Sequence, residues 1–367
     1  MEPLKKGLQR TTCCLATVAL FVFVASILLL SLPNKQIENV LPPEVGEFGI
    51  GFDLSPSYAT VAVSYPNGSV QPIARVEGDQ AYRELMIRLS QPSSQHLHKP
   101  YQNVGEAISD TARRTIREAR KRISLPSSRD VGVLSNMVQA LRGQALNAVG
   151  EPIRAATIST PHLAALYGED LIDAFSYIGI VYLEFFPFNN FRPIHASIAA
   201  YAGNGLGFCA DYRNVTACEE EEEQIRAFFA LTIGYTHCSL TVSQARLGNA
   251  YYIREEITLE DLTLGYGARQ GHPGGEDAYW EAVRNVLRYP VVTSAIQRDF
   301  SKVLVYGDAA DIPKFREVLE EALGEVLEGS PEIVDRQPEM CAAMGVAEMA
   351  KRAIFRQRQE LDTNPEL

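Results

Sequence analysis

Apolar positions fall first into one unbroken run and later into two similar alternating stretches. The run covers residues 13–32 and carries no charge. About 20 residues at 1.5 Å each span roughly 30 Å, the thickness of a bilayer's hydrocarbon core. The first alternating stretch is residues 49–63. Ile50, Val61 and Val63 favour strands, and the polar corner Asp53-Leu54-Ser55-Pro56-Ser57 favours a turn. A third strand is predicted over residues 70–76, after the turn signal Pro66-Asn67-Gly68. Residues 227–254 repeat the plan. Phe228, Phe229, Leu231 and Ile233 make a strand, Gly234-Tyr235-Thr236 a corner, and Cys238, Leu240 and Val242 a second strand. Residues 251–253 make the third. After the first copy the pattern predicts a strand over 156–160, a helix over 162–177 and a strand over 180–186. After the second it predicts a strand over 303–306, a helix over 312–327, a short strand over 332–334 and a helix over 340–355. Two such halves imply an α/β protein whose lobes face each other across a cleft.

Lys5, Lys6 and Arg10 precede the apolar run against one acid, Glu2. That bias favours a cytoplasmic N-terminus, with the bulk lumenal or extracellular. A cleaved signal peptide is the rival, but its apolar region is usually shorter and no small-x-small site follows Leu32. The expected organisation is a cytoplasmic tail (1–10), a single transmembrane signal anchor (11–32) and a stalk (33–47). Lobe I follows (48–200), then lobe II with a reduced upper part (201–335), then a linking helix with a C-terminal tail (336–367). Asn67 and Asn214 head glycosylation sequons, which suit a secretory-pathway membrane protein. Cys209 and Cys218 flank the second sequon. In an oxidising compartment they close a small loop; otherwise they are two free thiols. Residues 103–124 read as one exposed, arginine-rich helix with internal pairs to Glu106, Asp110 and Glu118. The glutamates of 219–223 read as a solvated face. The 367 residues, 46% hydrophobic, suffice for two lobes with cores. A formal charge of −11 argues against nucleic acid as a partner.

Several segments, in order, carry a resemblance. They are Gly49-Ile50-Gly51-Phe52-Asp53-Leu54, Ile158-Ser159-Thr160-Pro161-His162, the alanine-rich stretch 196–201, Val303-Leu304-Val305-Tyr306-Gly307 with Ile312-Pro313-Lys314, and residues 341–347. Together they resemble the nucleotide-binding domain shared by actin, sugar kinases and the seventy-kilodalton heat-shock chaperones, nearest to the chaperones. The resemblance implies a two-lobed actin-like ATPase (ribonuclease H-like) fold with duplicated ββαβα-type halves. It implies ATP or ADP with magnesium in the cleft, Asp53 at the magnesium and phosphate, and Ser57, Tyr58, Gly234, Thr236, Gly307 and Asp308 near the nucleotide.

The departures are as informative. Ser55 replaces the loop glycine, and Pro56 donates no N–H. In the second loop the family's aspartate falls on Thr232, and its triple glycine on Gly234-Tyr235-Thr236, where Tyr235 crowds a phosphate. The carboxylate before the first linking helix falls near Pro193, and no lysine is clearly placed to match the catalytic one, Lys99 in an unaligned loop being the nearest. Phosphoryl transfer needs amides around the phosphates, a metal and an oriented nucleophile. Hydrolysis is therefore expected to be absent or very slow, with nucleotide bound or no cofactor at all. The expected role is a membrane-anchored, catalytically degenerate binding or scaffold protein with a protein partner. The alternatives are an active or nucleotide-gated ATPase, and a small-molecule kinase on the same fold. His96 and His98 sit in a polar loop without further ligands, and adjacent His237 and Cys238 on a strand point to opposite faces.

Overall fold

The computed structural model describes residues 45–183, 193–251, 253–294, 299–327 and 329–363. The expected tail, membrane span and most of the stalk lie outside the described residues. Among those described, no helix is long and apolar enough to cross a membrane.

Lobe I is built on β1 (Gly49–Leu54), β2 (Tyr58–Ser64), β3 (Val70–Glu77), β4 (Ala155–Thr160), β5 (Val181–Tyr182) and β6 (Ile194–His195). Lobe II is built on β7 (Phe228–Tyr235), β8 (Leu240–Leu247), β9 (Arg254–Asp261), β10 (Phe300–Tyr306) and β11 (Glu332–Val334). The sheet orders are β3-β2-β1-β4-β5, with β6 also on β4, and β11-β10-β7-β8-β9. Counted within each lobe, both run third, second, first, fourth, fifth. The first three strands pair antiparallel in each, and the fourth and fifth parallel. β1, β2 and β4 are buried along their whole length, which is why they read as nearly continuous apolar runs.

The helices are α1 (Gln80–Leu89), α2 (Val104–Ser109), α3 (Thr111–Arg122), α4 (Arg129–Val149) and α5 (Gly168–Tyr177) in lobe I. They continue with α6 (Ala196–Gly203), α7 (Val215–Gln224), α8 (Gly275–Val292), α9 (Pro313–Gly324) and α10 (Cys341–Thr363). α4 lays Val131, Leu134, Val138, Leu141 and Ala145 on the lobe I core at helical spacing. It starts where the Ser128 side chain accepts from the Val131 amide and stops at Gly150, in the left-handed region at φ 77°. In lobe II, Tyr235 stacks on Phe315 with ring centroids 4.0 Å apart. Its hydroxyl bonds that of Tyr279 at 2.7 Å.

α6 packs on the lobe II sheet, α10 on the lobe I sheet, and the two helices cross. The crossing is made by glycines. A Cβ on Gly345 would sit 1.9 Å from the Ala199 carbonyl oxygen, and one on Gly203 would sit 1.8 Å from that of Cys341. Only a residue without a side chain permits that approach. The same device seats α10 on β1, since Cβ atoms on Gly49 and Gly51 would lie 2.1 and 2.2 Å from the backbone of Ala347. These glycines, from the first of the segments that carry the resemblance, admit a helix.

Several expected elements are redrawn. Residues 162–167 are loop, and the helix begins at Gly168. Of the strand expected over 180–186, only Val181–Tyr182 is extended within the described residues. The third strand of the second half starts at Arg254, because the Asn249 side chain accepts from the Tyr251 amide and turns the chain. The single helix expected over 103–124 is two, broken at Asp110, whose carboxylate is held by Tyr101 and Arg113. Nor is it simply exposed. Arg117 is buried and donates to Asp170 at 2.8 Å and Asp173 at 2.6 Å on α5. Within the acidic run, Glu222 is buried and paired with Arg356. His96 and His98 pack on Tyr167. His237 and Cys238 lie in the turn between β7 and β8, not on a strand. Cys209 and Cys218 are joined by a disulfide. Asn67 and Asn214 are exposed, one in the β2–β3 turn and one capping α7.

Candidate functional site

The cleft lies where strand ends of the two sheets face each other. Asp53, Tyr58, Gly234, Thr236 and Gly307 line it, together with Glu260. Ser57 and Asp308 do not. Asp53 stands opposite Ser159 in the parallel β1–β4 pair, and the Ser159 hydroxyl donates to it at 2.7 Å. Burial pushes the Asp53 carboxyl up to about 7, against the lowering influence of that hydroxyl.

The first corner is closed by the Ser55 amide on the Tyr58 carbonyl at 2.9 Å. The hydroxyls of Ser55 and Ser57 are buried with no hydrogen-bond partner. The Tyr58 ring lies under the Arg75 guanidinium, 3.9 Å from its centroid.

The second corner has amides, but they are spent on itself. Thr236 N–H donates to the Ser239 carbonyl at 2.9 Å. His237 N–H donates to Asp308 at 2.8 Å. Cys238 and Ser239 N–H both donate to the Thr236 hydroxyl, at 3.2 and 2.9 Å. No amide from Thr236 to Ser239 is left for an anion. The Tyr306 ring covers Gly234, reaching within 2.6 Å of where a Cβ would stand. Gly307 has φ 105°, and its close approach is to the Tyr235 carbonyl, 2.3 Å from a Cβ position.

Two groups of polar side chains bridge the lobes. Arg75 on β3 donates to Asp308 at 2.9 Å and Glu339 at 2.8 Å. Asp308, expected near an adenosine, is thus engaged by Arg75 and by the His237 amide. The second bridge joins His162 Nε2 to Glu255 Oε2 at 2.6 Å, with His195 stacked 3.8 Å over His162. Burial acts to lower the His162 pKa, but Glu255 raises it overall. Burial acts to raise the Glu255 pKa, but His162 holds it well below the usual carboxylate range.

Glu255 and Glu260 share a face because of a bulge. Thr241 pairs with Glu260, Ser243 with Thr258 and Ala245 with Glu255, with an irregularity between Gln244 and Ala245. In a regular strand, positions 255 and 260 would point to opposite faces. Both Glu260 carboxylate oxygens are buried without a side-chain hydrogen-bond partner, and burial pushes this acid up to about 7 against the lowering influence of His162 and its backbone N–H. The cleft holds a water-accessible volume of about 30 Å³, enclosed within about 410 Å³ of space between atoms that runs into open solvent. At 10–15 Å³ each the enclosed part takes about two waters. Drug-sized ligand pockets run to about 300 Å³ or more.

Sequence reasoning passes over Arg75, Glu255, Glu260 and the covering role of Tyr306. Alternation of Ile257 and Leu259 with Thr258 and Glu260 was the available signal for Glu260. Nothing local marks the bulge that turns Glu255 to the same side. No family profile and no curated protein matches this chain.

Proposed function

We propose that this chain is a membrane-anchored protein with an actin-like ATPase domain, nearest in plan to that of the seventy-kilodalton chaperones. In this proposal it has given up nucleotide turnover and acts by binding a protein partner on the lumenal or extracellular side. The observation that carries it is the second corner, where each amide from Thr236 to Ser239 already has an acceptor within the protein. A phosphate gains nothing there without first breaking those bonds, each of which contributes about 1 kcal/mol net. The matching strand orders support the duplicated plan. The disulfide and the exposed Asn67 and Asn214 support the compartment. Val104, Ile108 and Ile116 are exposed on α2 and α3, which suits a surface that meets another protein.

Calorimetry on the full chain in detergent tests it, with ATP and ADP, with and without magnesium. The expected result is no binding. Micromolar, magnesium-dependent binding that disappears in Asp53→Ala would overturn it. The partnerless hydroxyls of Ser55 and Ser57 favour a second proposal, a nucleotide-gated form whose lobes open before ligand enters. Glu260 supplies the cleft carboxyl that a kinase needs, but without an amide cradle there is no placed phosphate for it to act on.

A further inference from the structure

His162, His195 and Glu255 come from three distant segments: the loop after β4, the start of α6, and β9 of the other lobe. One donor atom from each lies within 4.8 Å of the other two. A tetrahedral ion with bonds of about 2.0–2.1 Å needs donor atoms roughly 3.3 Å apart. The His162–Glu255 pair, at 2.6 Å, has to part slightly, and His195 has to close in. The near-parallel stack of the two imidazoles, 16° between planes, also has to open so that both rings point at one ion.

The surroundings suit an ion better than a plain ion pair. The Ser197 hydroxyl donates to the other Glu255 oxygen, the kind of outer contact that fixes a ligating carboxylate. His162 Nδ1 is buried without a hydrogen-bond partner. Neither oxygen of buried Glu260 has a side-chain partner, and its charge is felt at His162. The ion pair accounts for His162 and Glu255 but leaves Glu260 without a side-chain partner, with only the His162 backbone N–H near it.

We propose that His162, His195 and Glu255 form a binding site for a divalent transition metal of the zinc class, joining lobe I to lobe II across the cleft. Two imidazoles and one carboxylate select zinc-like ions over magnesium or calcium, which take oxygen ligands. Three protein donors leave a fourth position for water, and Glu260 accepts a hydrogen bond from it. The disulfide-bonded Cys209 and Cys218, although close to Glu222, offer no thiolate and do not compete. The site does not depend on whether the cleft binds nucleotide.

The test uses the full chain in detergent, stripped with EDTA and titrated with cobalt(II) by visible absorption and with zinc by calorimetry. The expected result is one ion per chain at micromolar affinity or tighter, the cobalt bands of a four-coordinate ion, and displacement of cobalt by zinc. Glu255→Gln and His195→Asn should each weaken zinc at least 100-fold while still folding in EDTA by circular dichroism. Glu260→Gln should weaken it by about tenfold or more, as loss of an outer contact does. X-ray absorption of the zinc-loaded wild type should show nitrogen and oxygen neighbours, and it decides the matter even if the variants fold poorly. Absence of binding by the wild type, sulfur at the zinc, or unchanged affinity in folded Glu255→Gln and His195→Asn would overturn the site.

Discussion

The corners β1–β2 and β7–β8 occupy equivalent places in two sheets of the same strand order, yet they are closed in opposite ways. The first has Pro56 where an amide is wanted and keeps two buried hydroxyls without partners. The second keeps its amides and turns all of them inward, with Tyr306 laid over Gly234. One corner lacks the amide at Pro56, and the other has no amide to spare. Strand order tolerates such divergence, because it is set by apolar pattern and pairing along whole strands. Anion binding does not, because it needs several amides aimed at one point.

The largest effect should come from breaking what holds the corners face to face. Gly345→Leu drives a side chain into the Ala199 carbonyl and should exceed the 1–3 kcal/mol of ordinary overpacking, leaving no cooperative melt by circular dichroism. Tyr306→Ala uncovers Gly234. It should cost about 3–4 kcal/mol in denaturant unfolding and still give no nucleotide binding, since the amides below remain engaged. Nucleotide binding by that variant would show that the tyrosine alone closes the second corner.

Asp53→Asn should act in the other direction. The unfolded carboxyl titrates near 3.8 and the folded one at about 7. Between those values the unfolded state sheds its proton first, so stability falls as pH rises from about 4 to 7, and the deficit persists above 7. The asparagine still accepts from Ser159 and removes that slope. Its gain at pH 7.5 is at most about 4 kcal/mol, and it vanishes at pH 3.5. Parallel pH-dependent slopes for the two proteins would refute the buried-acid assignment. The smallest effect belongs to Ser55→Ala and Ser57→Ala, which remove partnerless hydroxyls and should change stability by about 1 kcal/mol or less. A larger loss would mean that those hydroxyls hold a water or a ligand.

The fold was legible to the extent that it rests on local pattern. The alternation around Val61 and Val63 and around Ile233 and Val242 gave the first two strands of each lobe. Glu332–Val334 was placed to the residue. α4 and α8 were missed although α4 carries Val131, Leu134, Val138 and Leu141 at helical spacing. Arg117 was misplaced because its partners, Asp170 and Asp173, lie more than 50 positions away. The cleft was legible only as departures from the pattern it resembles, such as Ser55, Pro56, Thr232 and Tyr235. The contacts that build it are not written locally. Arg75 reaches Asp308 across 233 positions, and His162 reaches Glu255 across 93.

The seating of α10 on β1 bears on how the protein is made. Ser64 donates to Glu348, 284 positions further on. At 5–20 residues per second a ribosome needs roughly 15–60 s to travel that distance. Throughout that interval the glycine-bearing side of β1 has no helix to cover it. Lobe I therefore cannot finish folding as it emerges, and it waits for a segment made after all of lobe II. An apolar sheet left bare for that long is a target for holdases during biosynthesis, and a chain interrupted before residue 341 is a candidate for degradation.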